Sequence, residues 1–488
     1  MSASSPRKIV IVGGVRIPFC RSNTLYADQS NQDMLSRAIE GLVQRYALAG
    51  KRVDQVMAGA VTTHSKDWNL AREAVLSTSL SPLTPAVTMQ QACGTSLQAA
   101  LLAGAQIASG QIECAIVAGT DTTSDVPVVF QRRFAQRMVK LSRARSLGQK
   151  LKTFKGFGLG ELAPQPPRNA EPRTGLSMGQ HCERMAREWQ IGRAEQDQLT
   201  LESHQKAAAA WEAGFFDDLV ISHNGVVRDN IVRPDTSLEK LGSLKPAFDR
   251  KSGTLTAGNS TTLSDGAAAL LLCSEDWAKA NDLPISAYLS HGRSAAVDFV
   301  EKDEGLLMAP TVAISEMLER AGLALQDFDF YEIHEAFAAQ VLCTLKAWES
   351  ESYCRDRLGL DRALGSIDRS RMNVRGGSVA IGHPFAATGA RILATLTAIL
   401  EQAGSGRGLI SVCTAGGMGV AAIVERPGSA KPGKPARPKK DAEAQADQAP
   451  AADEPAQAGA DDAPAESKAE ARARKKGSKK SEQPPDES

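Results

Sequence analysis

Two rhythms of apolar and polar residues replace each other along most of this chain. Short apolar runs at Lys8–Gly13, Gln55–Ala60 and Glu113–Ala118 stop at glycines or polar residues, which predicts β-strands. Between them, Ser30–Tyr46 repeats its apolar positions as an amphipathic helix does, and Thr95–Ser109 is an Ala-rich helix. Ala86–Gln91 leads into Cys93 and so into that second helix. Such alternation of strands and helices is α/β patterning. Between Phe130 and Arg250 the rhythm breaks into basic helices, a Pro-rich loop at Ala163–Pro172 and a strongly helical stretch, Met178–Ala213. This reads as an insertion. Strand signals resume at Gly253–Ala257 and Ala267–Cys273, and later the acidic strand Phe328–Ile333 precedes a helix, Ala336–Trp348.

A faint repeat links the two ends of the patterned region. CGTSLQAALLAGAQIASG is followed by ECAIVAGTDT, and HPFAATGARILATLTAILEQAG is followed by GLISVCTAGG. Each is a reactive residue opening a small-residue helix, then a turn, then an apolar strand ending in Gly-rich sequence. Two related α/β halves would explain it, although Ala-rich helices also resemble one another by chance. The expected organisation is a first half over 1–129 and 251–285, an inserted loop domain over 130–250, and a second half over 286–426. From Pro427 to Ser488 the composition turns to Ala, Pro, Lys, Asp and Glu. A disordered tail is expected there, because so few large apolar side chains cannot offset the ordering entropy.

Composition narrows the function classes. A hydrophobic share of 42% supports a sizeable core, and a net charge of +1 argues against a dedicated nucleic-acid binder. No apolar run approaches the length a membrane helix needs, and Met1–Lys8 lacks the apolar core of a secretory signal. The eight cysteines (Cys20, Cys93, Cys114, Cys182, Cys273, Cys343, Cys354 and Cys413) contain no C-x-x-C pair. Reduced thiols in a cytoplasmic protein are therefore expected, most of them small buried hydrophobes.

Four segments at element junctions carry candidate chemistry. In Gln91-Ala92-Cys93-Gly94-Thr95 the thiol precedes a helix, whose N-terminal N–H groups would lower its pKa, and Gly94 would leave room for an acyl group. A helix-capping thiol would read the same way. In Gly376-Gly377-Ser378-Val379-Ala380-Ile381-Gly382-His383-Pro384, glycines hold an imidazole on a turn where it could take a proton from a thiol. Val412-Cys413-Thr414-Ala415-Gly416-Gly417 offers a second thiol and free backbone N–H groups able to bind an oxyanion, or simply a Gly-rich turn. Ile333-His334-Glu335-Ala336-Phe337 places His334 where a donor could hold a water or a carbonyl oxygen, with helix capping as the plainer reading. Gly156, Gly158 and Gly160 lack the preceding strand of a nucleotide-binding loop. No His/Cys/Asp set has metal-ligand spacing along the chain, so no metal is expected.

Together these segments resemble the thiolase family. CGTS, HEAF, GHP and CTAGG appear in that family's order, with AGNSTTLSDGAAA at 257–269 in its place, and the resemblance runs from Lys8 to Arg426. It implies a layered αβαβα fold of two related halves with an inserted loop domain. It also implies a 3-oxoacyl-CoA thiolase that works by a ping-pong course through an acylated cysteine. Cys93 corresponds to the nucleophile, His383 to its base, Cys413 to the second acid/base and His334 to the donor at the thioester oxygen. Met178, Ser260, Thr261 and Ala415 fall at substrate-binding positions. CoA and acyl-CoA are then substrates, and no cofactor is expected. His334 in place of Asn, Ser177-Met178-Gly179 in place of His-Met-Gly, and GGSVAIGHPFAATGAR are similar to the β-subunit of the fatty-acid oxidation trifunctional complex. That subfamily implies longer acyl chains and a hydratase/3-hydroxyacyl-CoA dehydrogenase α-subunit as partner, and the family implies a homodimer or homotetramer. Residues 132–155, rich in Arg and Lys interleaved with apolar residues, suit a partner subunit, CoA phosphates or a membrane surface; a solvated helix face would look alike. The alternatives are condensation of two acetyl-CoA by an acetoacetyl-CoA thiolase, and a thiolase-fold protein that binds acyl-CoA or lipid without turnover.

Overall fold

A computed structural model describes residues 6–428. The tail expected over 427–488 lies outside the described residues except for Pro427 and Gly428, and so do the first five residues.

Nine strands run through one continuous sheet: β1 Ile9–Arg16, β2 Gln55–Gly59, β3 Ala86–Thr88, β4 Cys114–Asp121, β5 Ser264–Ser274, β6 Ala287–Ala296, β7 Phe330–Ile333, β8 Gly406–Thr414 and β9 Met418–Arg426. Their order is β7-β8-β9-β6-β1-β5-β4-β2-β3, and the two-residue strand Cys20–Arg21 pairs beside β5. The pairings repeat. In the first half β2 runs parallel to β4, β4 antiparallel to β5, and β5 antiparallel to β1. In the second half β7 runs parallel to β8, β8 antiparallel to β9, and β9 antiparallel to β6. The two halves join where β1 meets β6 over Val10↔Tyr288 and Ile11↔Ala287. The faint sequence repeat is thus a repeat of topology.

Helices fill the faces. The principal ones are α1 Asn31–Arg45, α2 Thr95–Ala108, α3 Arg132–Arg143, α4 Leu147–Thr153, α5 Met178–Glu188, α6 Arg193–Glu212, α7 Ala309–Ala321, α8 Ala338–Glu349 and α9 Thr388–Ala403. The period-2 alternation of the strands assigns each face its partner. Leu270 and Leu272 of β5, Ala115 and Val117 of β4, and Ile410 and Val412 of β8 join Leu97 of α2 and Leu393 of α9 in one central core. Leu271, Cys273 and Ile116 point the other way, onto Leu35 and Ile39 of α1. Leu409, Cys413 and Ile423 face Ile314 of α7 and Val341 of α8. Five layers result, with α2 and α9 shared by both halves as the middle one. These two helices touch closely: a Cβ on Gly389 would lie 2.4 Å from the Leu97 nitrogen, and the Ala390 N–H donates to Ser96 Oγ at 2.8 Å.

Local signals explain most boundaries. Ser30 and Asp33 form a capping box that starts α1. The helical stretch Met178–Ala213 is two helices, broken after Glu188, with Gln190 at φ 51°. The strand expected at Gly253–Ala257 does not form; only an isolated bridge joins Pro246 and Thr256. Side chains take the backbone donors instead: Glu183 accepts from the N–H of Thr254 and Leu255, and Asn259 from that of Thr256. With those groups satisfied, nothing drives the segment into a ladder.

Candidate active site

Cys93 stands on an elbow between β3 and α2. Ala92 takes φ 44°, a left-handed conformation that costs a non-glycine residue about 1–2 kcal/mol. Thr95 holds the elbow by donating its hydroxyl to the Ala92 carbonyl at 2.7 Å and accepting from the Gln91 N–H at 2.9 Å. Gly94 serves packing rather than acyl access. Its Cβ would meet Val420 at 2.8 Å and Thr414 at 2.9 Å, so the start of α2 rests directly on β8 and β9.

His383 reaches this thiol from the other half. Its Nε2 lies 3.1 Å from Cys93 Sγ. Its Nδ1 lies 2.5 Å from Thr388 Oγ1, and that hydroxyl donates to the Pro384 carbonyl at 3.2 Å. Thr388 therefore accepts from Nδ1–H, which leaves a lone pair on Nε2 facing the thiol. The glycines before His383 face protein. A Cβ on Gly377 would strike the Glu335 carboxylate, and Gly382 needs its φ of 108° to turn the chain into His383.

Burial sets the charge state. It pushes the Cys93 thiol up to about 12, partly offset by the N–H groups of Ala415 and of Cys93 itself. Burial, then the charge of Arg391, brings His383 down to about 3. The resting pair is therefore a neutral thiol and a neutral imidazole. The lowered thiol pKa expected from the helix N-terminus is not found, because desolvation outweighs a helix-end effect of about 0.3–1 kcal/mol.

The other candidates converge on the same point to different degrees. Cys413, at the end of β8, is buried and its thiol is raised well above the usual range by burial and by Cys93 nearby. Ala415, two residues on, points its N–H at the Cys93 sulfur. His334 follows β7, and its ring centroid is 4.2 Å from that of His383. Its Nε2 is buried without a partner among the described residues. Ser260 Oγ is likewise buried and unpartnered, whereas the Thr261 hydroxyl donates to the Ser378 carbonyl at 2.8 Å. Met178 opens α5 and packs, partly buried, on the outer core of the second half.

Residues 9–276 match the family model of the thiolase N-terminal domain, and residues 283–426 that of the thiolase C-terminal domain. The chain belongs to the thiolase family. It is 41% identical over 424 residues to the 3-ketoacyl-CoA thiolase of Yersinia pestis (strain Pestoides F), covering 86% of this chain and 97% of that protein. The 3-ketoacyl-CoA thiolase of Yersinia pseudotuberculosis serotype O:3 (strain YPIII) matches to the same extent. The crystal structure of the Bacillus anthracis acetyl-CoA acetyltransferase aligns with a TM-score of 0.72 at 30% identity, covering 87% of this chain and 100% of that one. The protein is accordingly an acyltransferase.

Several residues around this thiolase centre escaped the sequence reading. Thr388 could have been found, since it lies five residues past His383 at the start of a helix. Ser378 and Arg391 gave no such signal; Arg391 is a buried cation on α9 that donates to Ser378 Oγ at 2.6 Å. Glu335, beside His334 in the chain, accepts from Ser203, Asn373 and the Val379 N–H inside the protein. Glu171 comes from the insertion and accepts from the Gly416 N–H at 2.7 Å, fixing the loop that carries Ala415. Donor atoms of Cys93, His334 and His383 lie within 4.8 Å of one another, a ligand-like cluster that chain spacing hid. Among the described residues no helix is long and apolar enough to cross a membrane.

Proposed function

We propose that this enzyme cleaves 3-oxoacyl-CoA with CoA, giving acetyl-CoA and a shortened acyl-CoA, as in fatty acid β-oxidation. The observation that carries the reading is the 3.1 Å approach of His383 Nε2 to Cys93 Sγ, with Thr388 holding the other ring nitrogen. In a ping-pong course, His383 takes the thiol proton as Cys93 attacks the 3-oxo carbon. The N–H groups of Cys93 and Ala415 face the oxyanion that forms. The carbon–carbon bond then breaks, its electron pair goes to the α-carbon of acetyl-CoA, and Cys413 protonates that carbon. His334 donates to the acetyl thioester oxygen while charge resides there. CoA next gives its thiol proton to the Cys413 thiolate and attacks acyl-Cys93; the acyl-CoA leaves and Cys93 takes back the proton that His383 held. CoA and acyl-CoA serve as substrates, with no cofactor.

The identity to 3-ketoacyl-CoA thiolases supports the degradative direction; the likeness to an acetyl-CoA acetyltransferase favours condensation of two acetyl-CoA as the second reading. Thiolysis rates on acetoacetyl-CoA and on a C12–C16 3-oxoacyl-CoA separate them, and activity confined to the C4 substrate would sink the first. Incubation with acyl-CoA should leave an acyl label on Cys93 that the Cys93→Ala protein lacks. An unlabelled wild-type protein would leave a non-catalytic acyl-CoA or lipid binder.

We place the enzyme in the cytoplasm as a homodimer or homotetramer, beside a hydratase/3-hydroxyacyl-CoA dehydrogenase α-subunit. The region around α3 and α4 supports docking there, to that partner or to a membrane surface. Neither helix buries a residue, and Val139, Leu147 and Leu151 stand exposed among the cations of 132–155.

A further inference from the structure

We propose that Arg391 and Ser378 act as positioning residues that fix the tautomer of His334, so that its Nε2–H is the hydrogen-bond donor presented to the substrate. The inference rests on reading this centre as a thiolase site and goes beyond it by naming what makes His334 a donor.

The argument is a count of hydrogens. Arg391 Nη2 lies 2.6 Å from Ser378 Oγ, and a guanidinium can only donate. The other polar side-chain neighbour of that hydroxyl is His334 Nδ1 at 2.8 Å. Ser378 has one hydrogen to give, and Arg391 cannot take it. The hydroxyl hydrogen therefore points at Nδ1, and a neutral His334 must carry its own proton on Nε2. Burial, followed by the nearby His383 ring and the charge of Arg391, does hold His334 neutral, well below the usual imidazole range. Nε2 is the atom left buried without a partner among the described residues, on the ring whose centroid lies 4.2 Å from that of His383, tilted 52° to it, beside Cys93.

The neighbouring histidine is set the opposite way by the opposite hydroxyl. Thr388 sends its hydrogen to the Pro384 carbonyl and so accepts from His383 Nδ1–H, leaving Nε2 bare. One ring is a base toward Cys93 and the other a donor, although both are buried neutral imidazoles in one pocket. The relay also accounts for a costly feature. Arg391 is buried, with Nε and Nη1 without a hydrogen-bond partner among the described residues and Glu332 no nearer than 3.9 Å, an arrangement stability alone disfavours. With a proton on Nε2, His334 has no lone pair for an ion, so the relay and metal binding by Cys93, His334 and His383 exclude each other.

Two measurements test this on the full-length enzyme. With 15N-labelled histidine, assigned by comparison with His334→Asn, the spectrum should show His334 protonated on Nε2 and His383 on Nδ1. In Ser378→Ala the His334 signals should move toward mixed tautomers. A wild-type His334 protonated on Nδ1 overturns the proposal, whether or not Ser378→Ala folds. In thiolysis, Ser378→Ala should lower kcat about 10²-fold, the scale of losing one oxyanion donor, with little change in KM. In the His334→Asn background the same substitution should cost less than about threefold, because a carboxamide N–H needs no tautomer set for it. Equal losses in both backgrounds would mean a structural role only and would also overturn it. The tautomer spectrum does not depend on turnover, so its failure is distinguishable from a failure to trap acyl-Cys93.

Discussion

The two halves of this molecule share one topology yet present unlike chemistry from the same place. In each, a central helix follows a residue to which the proposed mechanism gives a role: Cys93 before α2 in the first half, His383 before α9 in the second. Around Cys93 the polar support is slight, a threonine pinning a strained elbow. Around His383 and the neighbouring His334 it is dense, with Thr388, Ser378, Arg391 and Glu335 all buried. The difference teaches what each group requires. A thiol needs only to be placed and left accessible; an imidazole has two nitrogens, and its use depends on which one carries the proton.

That contrast can be broken in order of expected effect. Under the proposed mechanism, Cys93→Ala should abolish thiolysis by about 10⁴-fold or more in kcat, since removing a nucleophile removes the covalent route; residual turnover within tenfold of wild type would refute the role. Leu97→Ala should lower unfolding free energy by about 2–5 kcal/mol in a urea titration, because this fully buried side chain lies under α9 in the middle layer. A loss below about 1 kcal/mol would show that the halves are not coupled through these helices. Thr388→Val should cost about 10²-fold in kcat with the protein still folded, as His383 loses the acceptor that fixes its tautomer. If Thr388→Val matched wild type, placement alone would suffice for the base as it does for the thiol.

The pH dependence sharpens the same point. His383 is held down to about 3 and His334 well below its usual range, both by burial. Their unfolded forms take up protons as pH falls through about 6.5, while the folded forms do not, so their contribution to stability falls as pH drops below that value. Urea midpoints between pH 7.5 and 5 should decline, less steeply in His334→Asn; equal slopes would mean that His334 is not neutral in the fold. The smallest effect is expected outside the halves. Replacing Lys140, Arg143, Lys150 and Lys152 with Gln should weaken retention on anionic phospholipid vesicles, with thiolysis of a soluble substrate unchanged. Unaltered retention would remove the membrane reading of 132–155.

Sequence periodicity alone determined the alternation of strands and helices, the two related halves and the placing of Cys93 and His383 at helix starts. These are local properties, set by which residues fall on one face of an element and by which residue begins it. It failed at Gly253–Ala257, where Glu183 and Asn259 satisfy the backbone from outside the segment. It also misjudged the Cys93 thiol, which burial raises where the local helix end suggested lowering. The resemblance named Cys93 and His383 as partners, but only the tertiary structure brings these residues, 290 positions apart, to 3.1 Å. The tertiary structure alone decided the Thr388 and Ser378 contacts that assign a proton to each histidine. Desolvation and hydrogen-bond direction depend on atoms brought together from distant parts of the chain, and no local window of sequence contains them.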